Sequence, residues 1–155
     1  MKYDIQPFEN DKQCKGFYVW NKPTFFIKKD DNRYESMVQE KKETGISRDE
    51  TWCLKTNIAV FLVPRLKRFK ECQMEIGGYP GCFDTKEEWY EILDKIIFAF
   101  ESEFDDDFYI PDEYLKKYTK DEYDEKGREK ASKEYSNDIL EGRKLFAEYF
   151  GCFWW

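Results

Sequence analysis

Hydrophobic residues along the chain recur mostly at helical intervals, in blocks separated by polar, glycine or proline breaks. The most regular block is Trp89, Ile92, Leu93, Ile96, Ile97 and Phe100, whose spacing of three and four places them on one stripe and predicts a helix over 84–104. Its start is marked twice, by Thr85 with Glu88 and by Asp84 with Glu87, each matching a capping box. A second block, Leu54, Ile58, Phe61, Leu62, Leu66 and Phe69, predicts a helix over 47–72 opened by Ser47 and Glu50. Trp52, Val60 and Val63 widen its apolar surface. Pro64 falls inside this stripe and has no N–H to give to the carbonyl of Val60, so a kink is expected there.

The remaining segments are less periodic. Asn32 to Glu43 reads as a polar helix ended by Gly45. Residues 112–135 and 137–150 read as two further helices, with Ile139, Phe146, Tyr149 and Phe150 inward and Gly127 and Gly142 as weak points. GGYPG, Gly77 to Gly81, is a loop by composition. Near the start, Phe17–Trp20 and Thr24–Ile27 flank Asn21-Lys22-Pro23 and predict a β-hairpin within 16–29. The expected fold is a single mainly α (α+β) domain over 1–155, a helical bundle-like core with a short N-terminal β-hairpin. Leu54, Phe61, Leu62, Leu66, Trp89, Leu93, Ile96, Phe100, Phe146 and Phe150 are expected to share that core. The terminal Phe153, Trp154 and Trp155 are expected to dock onto it, since such rings bury a large area.

Composition narrows the chemistry. With 155 residues, 41% of them hydrophobic and 19% aromatic, the chain can fill a core with rings. It has no histidine, which excludes Ser-His and Cys-His nucleophilic machinery. The five cysteines, Cys14, Cys53, Cys72, Cys82 and Cys152, form no CxxC pair and read as reduced thiols in packing roles. MKYDIQPFEND holds no apolar signal-peptide core, and no run approaches the roughly 20 residues of a membrane helix, so a cytoplasmic protein is expected. No phosphate-binding loop, dinucleotide fingerprint or zinc spacing is present; no cofactor, resident metal or catalytic residue is assigned.

Charge changes the picture most. The net charge is −7, yet residues 84–113 alone carry two cations against twelve carboxylates, a local −10. Glu87, Glu88, Glu91, Asp94, Glu101, Glu103, Asp105, Asp106 and Asp107 form the candidate acidic surface, able to meet a basic partner and steer its approach. Against this, VFLVPRLKRFK gathers Arg65, Lys67, Arg68 and Lys70 on about one helical turn. Such a turn is either a solvated face near a helix end, where the macrodipole favours cations, or a site for an anion, a nucleotide or a nucleic acid. EExxExxD at Glu87, Glu88, Glu91 and Asp94 is reminiscent of all-α nucleotide pyrophosphatases that hold Mg²⁺ on facing carboxylate pairs. That chemistry needs a second pair opposite the first, and the inward stripe of this helix turns Glu87, Glu91 and Asp94 toward solvent.

Three blocks, TWCLKTNIAVFLVPRLKRFKE, EEWYEILDKIIFAFE and EGRKLFAEYFGCFWW, together resemble a family of small proteins encoded by bacteriophages and prophages. The resemblance covers about half of the chain and brings no catalytic residues with it. It implies a phage accessory protein acting in the host cytoplasm. Such a protein would bind a host component, most simply by inhibiting an anti-phage defence protein in the manner of an anti-CRISPR. The expected partner is then a host protein with a basic, nucleic-acid-binding groove. The alternatives are a nucleotide or nucleic-acid binder using the basic turn, and a Mg²⁺-dependent hydrolase.

Overall fold

Capping chemistry sets where several of the helices begin or end. The computed structural model describes residues 28–52, 54–105, 109–121 and 123–154, and these form six α-helices and two short 3-10 turns, with no strand among them. The protein is mainly helical, as its periodicity predicts. The strand-like runs expected at Phe17–Trp20 and Thr24–Ile27 lie outside the described residues. The chain divides into two compact units, Met1–Phe61 and Leu62–Trp155.

In the first unit, α1 (Tyr34–Thr44) ends at Gly45, whose φ of 83° puts it in the left-handed region that closes a helix. The Gly45 N–H donates to the Lys41 carbonyl at 2.9 Å. Before the short α2 (Asp49–Trp52) the predicted box is half made, because the Glu50 N–H donates to the Ser47 carbonyl at 3.0 Å rather than to its hydroxyl. The Ser47 N–H donates to Glu50 Oε1 at 3.1 Å, and the Ser47 hydroxyl reaches both Glu50 and Asp49. These groups are buried, and Lys41 compensates the Glu50 carboxylate at 2.8 Å.

The third helix, α3 (Leu54–Ile76), starts in the first unit and continues in the second. It runs through Pro64, and the division between the units falls at Phe61, within the turn whose hydrogen bond to Val60 proline cannot make. Its inward face differs from the predicted stripe. Ala59, Val60, Val63 and Leu66 are its buried apolar positions, whereas Leu54 is 56% exposed and Ile58 and Phe61 are also exposed. From Trp52 to Val63 the sequence is apolar around most of the helix, so periodicity alone allows two stripes. Packing selects the one carrying the small Ala59.

In the second unit, α4 (Lys86–Glu101) begins at Thr85, whose hydroxyl accepts from the Glu88 N–H at 3.3 Å; Glu88 returns to the Asp84 N–H at 3.2 Å. Thr85 is therefore the cap, and Thr85→Ala is expected to lower stability by about 1 kcal/mol, read as a shifted urea midpoint at unchanged slope. After a 3-10 turn at Ser102–Phe104 come α5 (Asp112–Tyr118) and α6 (Glu125–Glu148). The break expected near 136 lies instead at 119–124. There Asp124 caps α6, accepting from the Gly127 N–H at 2.9 Å and the Lys120 N–H at 3.2 Å. Ser136 and Asn137 do not interrupt α6, because the stripe Ala131, Tyr135, Gly142 and Leu145 packs continuously inward.

Trp89, Leu93 and Ile96 are fully buried, and Leu66, Ile96 and Ile97 anchor a cluster completed by Leu62, Ile92, Phe100, Leu145, Phe146 and Phe153. Rings continue it. Trp89 has Phe83 at 5.3 Å, Phe153 at 5.9 Å, Tyr149 at 6.2 Å and Phe69 at 6.5 Å between centroids. The aromatic ending therefore docks through Phe153. Phe150, expected in the core, is 67% exposed and Trp154 is 72% exposed, while Trp155 lies outside the described residues. No helix among the described residues is long and apolar enough to cross a membrane.

Candidate functional site

The basic turn and the acidic helix, apart in sequence charge, meet across α3 and α4. Lys67 Nζ lies 2.5 Å from Glu101, Lys70 Nζ 2.5 Å from Asp94, and Arg68 holds Glu71 at 2.9 Å and Glu75 at 3.5 Å on its own helix. Lys70 is mostly covered while Asp94 stays open, so the lysine stem packs on apolar surface and extends its charge outward. Arg65 is half-buried, and burial pulls its guanidinium pKa down. Exposed pairs of this kind each add about 0–1 kcal/mol. Their larger effect is on the field, since Lys67, Arg68 and Lys70 face carboxylates.

The acidic candidates separate into engaged and open groups. Asp94 and Glu101 meet the lysines above, Glu103 meets Arg143 on α6, Asp105 accepts from the Tyr135 hydroxyl at 3.2 Å, and Glu88 is occupied at the helix start. Glu87 and Glu91 are exposed on the outer side of α4, with Lys86 3.9 Å from Glu87. Asp106 and Asp107 lie outside the described residues. The EExxExxD carboxylates fan along one helix, and among the described residues no three His, Cys, Asp or Glu groups are placed to hold a metal ion.

One concave feature extends the open acidic stripe. Glu87, Glu91, Asp94, Lys95 and Phe98 follow one another at helical spacing along α4. At the last three, α5 and α6 close a groove of about 400 Å³, adding Glu113 and Tyr114 from α5 and Asp138 and Glu141 from α6. Four carboxylates thus surround two rings, with one lysine among them. Lys95 pairs with Glu141 at 2.7 Å, which raises the lysine pKa and keeps it charged. Tyr114 donates its hydroxyl to Asp138 at 2.7 Å, and burial first, then that bond, push its pKa up. Asp138 also acts electrostatically on Lys95, so Glu141 and Asp138 share that lysine. Tyr135 beneath, buried and facing Asp105, is pushed up to about 12 and stays protonated.

Phe98, Glu113, Tyr114, Asp138 and Glu141 are absent from the sequence-level candidates. The continuation of Glu87 and Glu91 through Asp94 to Phe98 was a readable signal, but the contributions of α5 and α6 come from tertiary packing. Comparison with family models, with curated proteins and with solved structures finds no match for this chain.

Proposed function

We propose that the protein acts by binding, and that the face running from Glu87 and Glu91 into the groove of Asp94, Phe98, Glu113, Tyr114, Asp138 and Glu141 receives a basic segment of a partner protein. The groove carries this reading, because it offers what an arginine or lysine side chain needs. Carboxylates meet the charge, and the faces of Phe98 and Tyr114 meet the stem or the planar guanidinium. The resemblance to phage-encoded proteins supplies the class of partner. It would be a host defence protein with a basic nucleic-acid groove, inhibited because the acidic face occupies the place of phosphates.

The nucleotide-binding alternative ranks lower, since Lys67, Arg68 and Lys70 are already matched by carboxylates that an incoming anion must displace. The hydrolase alternative ranks lower for want of a facing carboxylate pair.

The proposal is tested with a fluorescent oligoarginine peptide and two variants of equal net charge. One is Glu91→Gln, Glu113→Gln, Asp138→Asn; the other is Asp121→Asn, Glu125→Gln, Glu129→Gln. The groove variant is expected to lose at least about tenfold in affinity, roughly 1.4 kcal/mol, and the control less than threefold. Added salt should weaken wild-type binding, as exposed charges are screened over about 8 Å at physiological ionic strength. Equal losses in the two variants would reduce the groove to net charge alone. A captured host partner that retains its nucleic acid while bound would remove the inhibitory reading and leave the binding one.

A further inference from the structure

The groove already holds one alkylammonium, supplied by the chain itself. Lys95 Nζ lies 2.7 Å from Glu141 Oε1, bridging α4 to α6, and the lysine lines the groove together with Phe98, Tyr114 and Asp138. Its backbone is fixed where the two helices cross. A Cβ on Gly142 would run into the Lys95 carbonyl, so the glycine lets α6 lie directly against this turn of α4. The carboxylates facing the lysine charge are Glu91, one turn back on α4, and Asp138 and Glu141 on α6. Both ends of the ion pair stay about half-exposed, 53% for the Lys95 side chain and 51% for Glu141, so an incoming group can displace it.

A displacing group competes with the one it replaces. A lysine side chain from a partner brings the same compact ammonium that Lys95 already offers, and the tethered copy competes at an effective concentration of roughly millimolar. Exchange gains nothing. An arginine brings a planar guanidinium, which takes a carboxylate through two parallel N–H bonds and lays its face on a ring. Glu141 and Asp138 supply the carboxylates, and Phe98 and Tyr114 the rings. The two-point bond is one that an ammonium cannot make.

We propose that Lys95 is a specificity-determining residue, a built-in lysine that screens the groove against lysine side chains and leaves it selective for arginine. This rests on the groove being the receptor for basic side chains, and it names arginine as the side chain received.

Fluorescent oligoarginine and oligolysine peptides of equal length, titrated against the full chain, test it. Lys95→Gln is expected to tighten oligolysine by about three- to fivefold, the scale of one exposed ion pair, and oligoarginine by less than about twofold. The change in the ratio carries the result, since loss of a positive charge by itself tightens both peptides alike. Lys126→Gln, the same charge change at an exposed position of α6 outside the groove, should leave the ratio at its wild-type value. Lys95→Arg keeps a tethered cation and should leave oligolysine as weak as on the wild-type chain. Tightening of both peptides by one factor in Lys95→Gln would overturn the filter. So would a Lys95→Arg chain that gains oligolysine as Lys95→Gln does, or a wild-type chain that binds the two peptides equally. The chain carrying Glu91→Gln, Glu113→Gln and Asp138→Asn separates the two readings. If it binds oligoarginine as the wild type does, the groove reading fails and the filter with it; if it loses affinity while Lys95→Gln leaves the ratio unchanged, the filter alone fails.

Discussion

Replacing Trp89 by alanine is expected to lower the stability of the second unit by about 3–5 kcal/mol, the largest effect of any single side chain here. The indole is fully buried, and the rings of Phe69, Phe83, Tyr149 and Phe153 surround it, so truncation opens a cavity whose walls come from α3, the following loop, α6 and the C-terminal turn. Collapse of four separate walls onto one gap is hindered, which places the loss high in the usual range. Trp89→Phe should cost much less than the lost volume implies. The buried Nε1 has no hydrogen-bond partner among the described residues, and removing an unmet donor returns about 1–3 kcal/mol. Urea denaturation of both variants measures the difference. A Trp89→Ala protein as stable as wild type would show that the ring cluster is not the core.

Gly142→Ala is expected to destabilise by about 1–3 kcal/mol, although in an exposed helix interior the same change would gain about 1 kcal/mol from propensity. The glycine sits where α6 crosses α4, and a Cβ there would run into the Lys95 carbonyl and the Ala99 side chain. The carbonyl belongs to a hydrogen-bonded helix and does not yield, so the helices must separate. That separation weakens the packing of Ile96, Phe100 and Phe146 around the crossing and widens the groove beside Lys95. Ala99→Gly in the same chain should restore only part of the loss, since the backbone obstacle remains. A Gly142→Ala variant that gains stability would contradict the close crossing.

The same glycine shows where sequence reading stops. Gly142 and Gly127 look like weak points in a helix, yet each lies where a side chain would strike a neighbouring backbone carbonyl, that of Lys95 or Tyr118. Nothing local in EGRK distinguishes a helix breaker from a helix contact. Local chemistry was legible where it acts over a few residues: Thr85 and Glu88 at the start of α4, Gly45 at the end of α1, and the stripe from Trp89 to Phe100. It was ambiguous where hydrophobicity surrounds the helix, as from Trp52 to Val63, because only tertiary contacts choose between faces. The charges of Asp94, Glu101 and Glu103 could be counted, but their partners Lys70, Lys67 and Arg143 lie 24, 34 and 40 residues away. A segment of net −10 is thus partly neutralised in space; Glu87 and Glu91 stay exposed on the outer side of α4, and the groove beyond them is lined by the carboxylates of Asp94, Glu113, Asp138 and Glu141.

The account turns on that open charge being a contact surface, and amide chemical-shift mapping addresses it residue by residue. Titration of the isotope-labelled chain with the oligoarginine peptide is expected to move the amides of 91–98, 113–115 and 138–141, to saturate, and to do so less at higher salt. A short single-stranded oligonucleotide at the same concentration should leave 65–70 unmoved. Peptide shifts spread evenly over Asp121, Glu125, Glu129 and the groove, or oligonucleotide shifts concentrated at Arg65 to Lys70, would contradict it.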